Sequence, residues 1–251
     1  MTSQIYRYRA GAATDVGLRR ELNEDSLLVM DDLFAVADGM GGHDAGEVAS
    51  SSCVQALREM RQDMIAADPP QHMDLEALRS MIGSANTSVL VAGQGRAGTT
   101  LTMLAGIRHD DPAGEHALAV ANIGDSRAYW YQAAADQMVQ ITEDHSAVQE
   151  LVNRGIITAE EARTHPDRNV ITRAVGTSPH IAADVAVLRP EPGDRFLLCS
   201  DGLTNEVSDD DLAWAISSGD DLDAIAHDLV DQANEAGGRD NITVIIVEIL
   251  S

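Results

Sequence analysis

Apolar residues along the chain fall into two rhythms. Short, nearly unbroken runs such as Leu33–Ala37, Phe196–Cys199 and Ile242–Ile249 have the length of strands and too few polar positions for a sheet with one wet face. Other stretches place apolar residues three or four apart. From Asp44 to Ala66, Val48, Cys53 or Val54, Leu57 and Met60 or Met64 share one helical face, and ADPPQHMD then breaks the helix. A second helix is predicted over roughly 74–92, with others over 145–154, 158–164, 208–217 and 221–235. Thr158 and Glu161 give the helix at 158–164 a capping-box start. Strands are predicted over 5–16, 26–37, 99–107, 116–123, 126–132, 137–141, 182–188, 194–199 and 242–249. The order is not a regular alternation of strand and helix, which argues against a doubly wound parallel sheet. Antiparallel sheets with pairs of helices packed outside fit better, since the apolar strands must be covered on both faces.

The chain has 251 residues and a formal charge of −24, from 41 acids against 17 bases. That balance argues against nucleic acid, where affinity rests on Lys and Arg, and against an anionic membrane face. It also means that an anionic substrate would need bound cations to neutralise its site. The first residues lack a signal-peptide core, and no run is long enough to span a bilayer, so a cytoplasmic location and a monomer are the expectation. Cys53 and Cys199 lie in apolar stretches and read as core.

The strand-like runs share an oddity. LFAVADGMGG stops at Asp38 and FLLCSDG at Asp201; LAVANIGDSR reaches Asp125, and GRDNITVIIVEI places Asp240 just before its run. One such Asp-Gly is a turn; the recurrence points to a shared site. Aspartates without a His or Cys cluster suit a hard cation such as Mg²⁺, Mn²⁺ or Ca²⁺. Nothing matches the spacing of a zinc site. Near the N-terminus, GLRRELNEDS places Arg20 before Glu24 and Asp25; its guanidinium could hold a phosphate or pair with Glu24 on the surface.

In order along the chain come NED, DGMGG, GTT at 98–100, GDSR at 124–127, SDG at 200–202 and GRDN at 238–241. The set resembles the metal-dependent Ser/Thr protein phosphatases of type 2C, the PPM family, and most closely its bacterial members. The resemblance implies an α+β, four-layer αββα sandwich: two stacked antiparallel β-sheets flanked by helices, as one catalytic domain over 1–251 with no tether. A flap segment at about 146–178 borders the active site. It implies two or three Mn²⁺ or Mg²⁺ ions. Asp38 would bridge two of them, with the Gly39 carbonyl on one and Asp201 and Asp240 on the other. Glu24 and Asp25 would hold metal-bound waters, Asp125 with Asp201 would form a third metal site, and Arg20 would bind phosphoryl oxygens. A water between two ions would attack phosphorus in line, without a phosphoenzyme. Implied partners are proteins phosphorylated on Ser or Thr, including a Ser/Thr kinase and its substrates. The alternative is a silent phosphoprotein-binding module of the same fold; a nucleotide-binding ATPase built on GMGG ranks low, lacking the Walker spacing and Lys. A cysteine nucleophile is excluded, because the position six residues after each Cys holds Glu59 or Asn205 in place of Arg.

Where eukaryotic members carry DGHGG, this chain has Met40. His43 then offers a proton donor, set against the blander reading of a residue near a helix start. His145 in TEDHS matches a family motif without an evident chemical part. Arg173 in the flap could meet a phosphopeptide or simply be a surface cation. Thr99 and Thr100 read as strand residues beside the site.

Overall fold

The computed structural model describes residues 6–41, 45–111 and 114–250. One sheet runs in the order β1 (Tyr8–Asp15), β11 (Ile242–Ile249), β10 (Arg195–Cys199), β7 (Arg127–Gln132) and β8 (Gln137–Gln140). The second runs β2 (Asp25–Val29), β3 (Leu33–Met40), β5 (Leu101–Asp111), β6 (Gly114–Ile123) and β9 (Asp184–Leu188), with the short β4 (Gly98–Thr99) joined to the end of β3. Every pairing is antiparallel. Helices α1 (Ala45–Ala66) and α2 (Leu75–Ala92) cover the second sheet. Helices α5 (Asp201–Thr204), α6 (Asp209–Ser217) and α7 (Leu222–Ala236) cover the first. The chain between β8 and β9 holds α3 (Ala147–Asn153) and α4 (Ala159–Arg163).

The unbroken apolar runs now have a cause. In β3, Ala35 and Ala37 face α1 and α2 beside Leu57, Leu78 and Met103, while Phe34 and Val36 face the other sheet. In β11, Val244 and Ile246 meet α7, while Ile245 and Val247 meet the opposing sheet with Phe196 and Leu198. Three apolar seams therefore separate four layers, and each fully buried Val, Leu, Ile or Phe contributes roughly 1.5–3 kcal/mol. Trp130 stacks on Phe196 with centroids 5.8 Å apart, and Tyr8 meets Phe34 edge-on in the same seam between the sheets. Helix starts are fixed locally. Asp74, Ser146, Ser208 and Asp221 cap α2, α3, α6 and α7, and Thr158 with Glu161 closes the expected capping box at α4.

Three expectations are corrected. The strand expected over 26–37 is a hairpin, turned where Met30 N–H donates to Leu33 O at 2.9 Å. The strand expected to stop at Asp38 runs on to Met40, because β4 supplies partners for Gly39 and Met40. Asp201 does not merely close a strand; it opens α5.

Candidate active site

The strand registers bring the singled-out aspartates to one end of the sandwich. Asp25 and Asp38 face each other across β2 and β3, and Leu101 pairs with Ile123 just before the turn that carries Asp125. In the other sheet, Cys199 pairs with Val244, which sets Asp201 near Asp240. The two sheets are joined there by Ser200 Oγ, which donates to Asp25 Oδ2 at 2.7 Å.

The segments that carry the aspartates are held by backbone, hydroxyl and amide groups. Asp38 N–H donates to Thr100 Oγ1 at 2.9 Å, and Thr99 Oγ1 and Thr100 N–H both donate to its carbonyl. Thr99 and Thr100 are thus a clamp on the Asp38 backbone, and Thr100 Oγ1 continues to Ser126 Oγ at 2.7 Å. A Cβ on Gly39 would lie 2.1 Å from Gly46 O, and one on Gly46 would lie 2.3 Å from Glu24 Oε1. Glycine at both places lets the start of α1 lie against β3 and Glu24. Asp125 follows Gly124, whose φ of +107° favours glycine. Asp201 accepts from Asn205 Nδ2 at 3.0 Å. Asn241 staples the loop before β2: it accepts Glu24 N–H and donates to Val16 O and Leu22 O.

The electrostatics are lopsided. Burial first, and then neighbouring aspartates, push Asp25 up to about 7, Asp125 to about 8 and Asp201 to about 6. The same causes raise Asp38 well above the ordinary carboxylate range, with Asp25, Asp201, Asp125 and Asp240 all acting on it. Asp25 Oδ1 and Asp125 Oδ1 are buried without a hydrogen bond. Unpaired buried carboxylate oxygens are costly, and a hard cation among oxygen donors relieves both the desolvation and the repulsion. The donor set therefore fits Mg²⁺ or Mn²⁺. Among the described residues no three His, Cys, Asp or Glu side chains converge as a ready cation cage. Protein groups meet the carboxylates: Arg20 donates to Asp240, Asn205 to Asp201 and Ser200 to Asp25.

Arg20 reaches the cluster, but its partner is Asp240 at 2.7 Å, 220 residues away, in place of the neighbouring Glu24. His43 lies outside the described residues. Met40 ends β3. Arg173 donates to Asp184 Oδ1 at 2.6 Å and to Ala182 O. Burial opposes ionisation of Asp184, yet hydrogen bonds from Arg173 and His145 hold its carboxyl below the ordinary value. A cavity of about 240 Å³ runs from Asp125 and Asp201 to the inner side of α3 and α4, with Gln149, Arg163, Arg168 and Asn205 on its wall. Sequence reasoning missed Ser200, Asn241 and Arg168. Ser200 and Asn241 stand beside the aspartates in SDG and GRDN, so adjacency was their one signal.

The family model for protein phosphatase 2C matches residues 19–242. The serine/threonine protein phosphatase PstP of Mycobacterium tuberculosis is 37% identical over 244 residues, which is 96% of this chain and 45% of PstP. The chain thus spans about half the length of that relative. The serine/threonine phosphatase stp of Listeria monocytogenes is 35% identical, over 94% of this chain and 93% of its own. Among solved structures, M. tuberculosis PstP/Ppp superposes with a TM-score of 0.85 at 35% identity, covering 98% of this chain and 100% of that one. The catalytic domain of PstP in complex with two manganese ions gives 0.84 at 34% identity, with the same coverage.

Proposed function

Because the chain belongs to the protein phosphatase 2C family, we propose that it is a metal-dependent protein phosphatase hydrolysing phosphoserine and phosphothreonine. The observation that carries this reading is the buried aspartate cluster, with Asp25 Oδ1 and Asp125 Oδ1 unpartnered and four carboxyls raised by one another and by burial. The Mn²⁺ complex of the PstP catalytic domain supports the choice of cation. Two Mn²⁺ or Mg²⁺ ions, with a third at Asp125, would supply Lewis acidity, making water nucleophilic near neutral pH and offsetting phosphoryl charge. Asp38, the Gly39 carbonyl, Asp201 and Asp240 would hold the first two, and Glu24 and Asp25 would accept hydrogen bonds from water there. Arg20 presents a fork of donors to phosphoryl oxygens at the cluster's edge.

On this reading residues 1–251 act as one catalytic domain with its flap at about 146–178. Substrates are cytoplasmic phosphoproteins, and the enzyme opposes a Ser/Thr kinase. No helix among the described residues is long and apolar enough to cross a membrane. Phosphate release from a phosphothreonine peptide with Mn²⁺ tests the proposal. Turnover should vanish with chelator and in Asp38→Asn. No turnover with any divalent metal would overturn it in favour of a silent phosphoprotein-binding module.

A further inference from the structure

Arg20 sits in a segment that is neither helix nor strand and has no core of its own. Residues 18–22, between β1 and β2, are all exposed. Their place is set from the segment 238–241, above all by Asn241, which is buried and directly follows Asp240. Asn241 Nδ2 donates to Val16 O and to Leu22 O, each at 2.9 Å, and its Oδ1 accepts Glu24 N–H at 2.9 Å. The orientation of the amide is forced, because a carbonyl can only accept and a peptide N–H can only donate. The two hydrogens of one planar NH₂ group therefore close the loop on both sides of Arg20. Backbone contacts add to the tie. Leu18 N–H donates to Gly238 O at 2.7 Å, and a Cβ on Gly17, whose φ is +77°, would lie 2.2 Å from Asp240 O.

The two sheets do not call for a loop held in this way. β1 is paired with β11 along its whole length, and β2 with β3 along its own. Exposed residues between them could leave their carbonyls to water. Asn241 instead directs both donors and its acceptor at the backbone around Arg20. Arg20 Nη2 and Asp240 Oδ2 come out of this contact 2.7 Å apart. The group read as holding phosphate and a carboxylate read as holding a cation are thus placed relative to each other through one residue.

We propose that Asn241 is a positioning residue for phosphate: it holds the Arg20 loop beside Asp240, so that one phosphoryl group can meet the guanidinium and the cations together. This rests on the reading of Arg20 as the phosphoryl-binding group. A guanidinium on a loose loop must be ordered each time phosphate binds, and a misplacement of about 1 Å at such a group can cost on the order of 100-fold. Asn241 acts here only through Arg20, so losing both should cost little more than losing Arg20 alone.

The test uses the full chain with saturating Mn²⁺. It measures KM for a phosphothreonine peptide and the inhibition constant of inorganic phosphate, which carries phosphoryl oxygens without a peptide. Arg20→Ala should raise both constants about 10-fold. Asn241→Ala should raise both about 3- to 10-fold. The double variant should match Arg20→Ala to within about 2-fold, the margin inside which independent effects are not resolved. A residue that served the fold alone would lower the amount of folded enzyme, and with it the apparent kcat, and leave both constants unmoved. Gly17→Ala pushes the loop off Asp240 from the other side. It should give the same pattern, and it decides the matter if Asn241→Ala fails to fold. Unchanged constants in the folded variant, or effects that multiply in the double variant, would overturn the positioning role while leaving Arg20 in its own. Wild-type constants in Arg20→Ala would overturn the reading of Arg20, and no turnover with any divalent metal the phosphatase reading; either would take the proposal with it.

Discussion

Replacing Asp38 by Asn should abolish activity and yet stabilise the metal-free protein. Asp38 lies in the field of Asp25, Asp201, Asp125 and Asp240, and burial adds to their repulsion. The scale can be taken from Asp25, raised from an ordinary 3.8 to about 7. At about 1.4 kcal/mol per pH unit, that is on the order of 4 kcal/mol against ionising one such carboxyl. Raised carboxyls leave the folded chain holding more protons than the unfolded one. Metal-free stability therefore falls as pH climbs from the ordinary carboxylate range towards the value of about 8 at Asp125. Asparagine removes one member of the cluster and keeps an N–H where a protonated Asp38 donates to Asp201. Partial protonation already relieves the wild type, so only part of the penalty returns: about 1–3 kcal/mol at pH 8, or on the order of 3–10 °C in a chain of this length. The gain should shrink towards pH 5. Mn²⁺ should raise the melting temperature of the wild type and barely move the variant. Scanning calorimetry at both pH values, with chelator and with Mn²⁺, reads all of this. A variant that melts below the wild type at pH 8 in chelator, or that gains as much from Mn²⁺, would refute the reasoning.

Arg20→Ala should raise KM for a phosphopeptide by about 10-fold or more, the scale of a charge-assisted hydrogen bond. It should also tighten Mn²⁺ by calorimetry, since Asp240 loses its competing cation; weaker Mn²⁺ binding would contradict this. Gly39→Ala places a Cβ against Gly46 O and should cost Mn²⁺ affinity and thermal stability together, so wild-type values for both would show that the contact yields. Arg173→Ala should weaken peptide substrates more than a small aryl phosphate, and equal losses on both would count against peptide contact. His43→Ala should alter the pH–rate profile if His43 protonates the leaving oxygen; an unchanged profile removes it from the mechanism.

Much of the architecture was legible because burial on both faces leaves a plain mark. Runs such as Ile242–Val247 can only be strands sealed between layers, and Thr158 with Glu161 announces a helix start. The hairpin between β2 and β3 was hidden because its turn is built around Asp31 and Asp32, without the Gly or Asn that usually signals one. Helix α5 is too short for periodicity to register. The continuation of β3 past Asp38 depends on bonds to Thr99 and Thr100, more than 60 residues away. The same separation hid the partners of the site. Spacing offered Glu24 to Arg20, whereas the fold offered Asp240; Ser200 reaches Asp25 across 175 residues.

The distribution of cations around the cluster argues that its negative charge is kept on purpose. The chain is already at −24, and an arginine for each aspartate would be the simplest route to stability. Two guanidiniums come close. Arg20 meets Asp240 on the rim, half exposed. Arg127 acts on Asp125 but is claimed by both oxygens of Asp144, at 2.9 and 2.7 Å. Asp25 is met by neutral hydroxyls, Ser200 at 2.7 Å among them, and by no cation. A fixed counter-charge would stabilise the empty site and occupy the place where a reacting group must enter. Exchangeable cations would neutralise the same carboxylates and leave room for water and phosphate. The instability of the bare cluster and its capacity for chemistry are therefore one property, and substitutions that cure the first should cost the second.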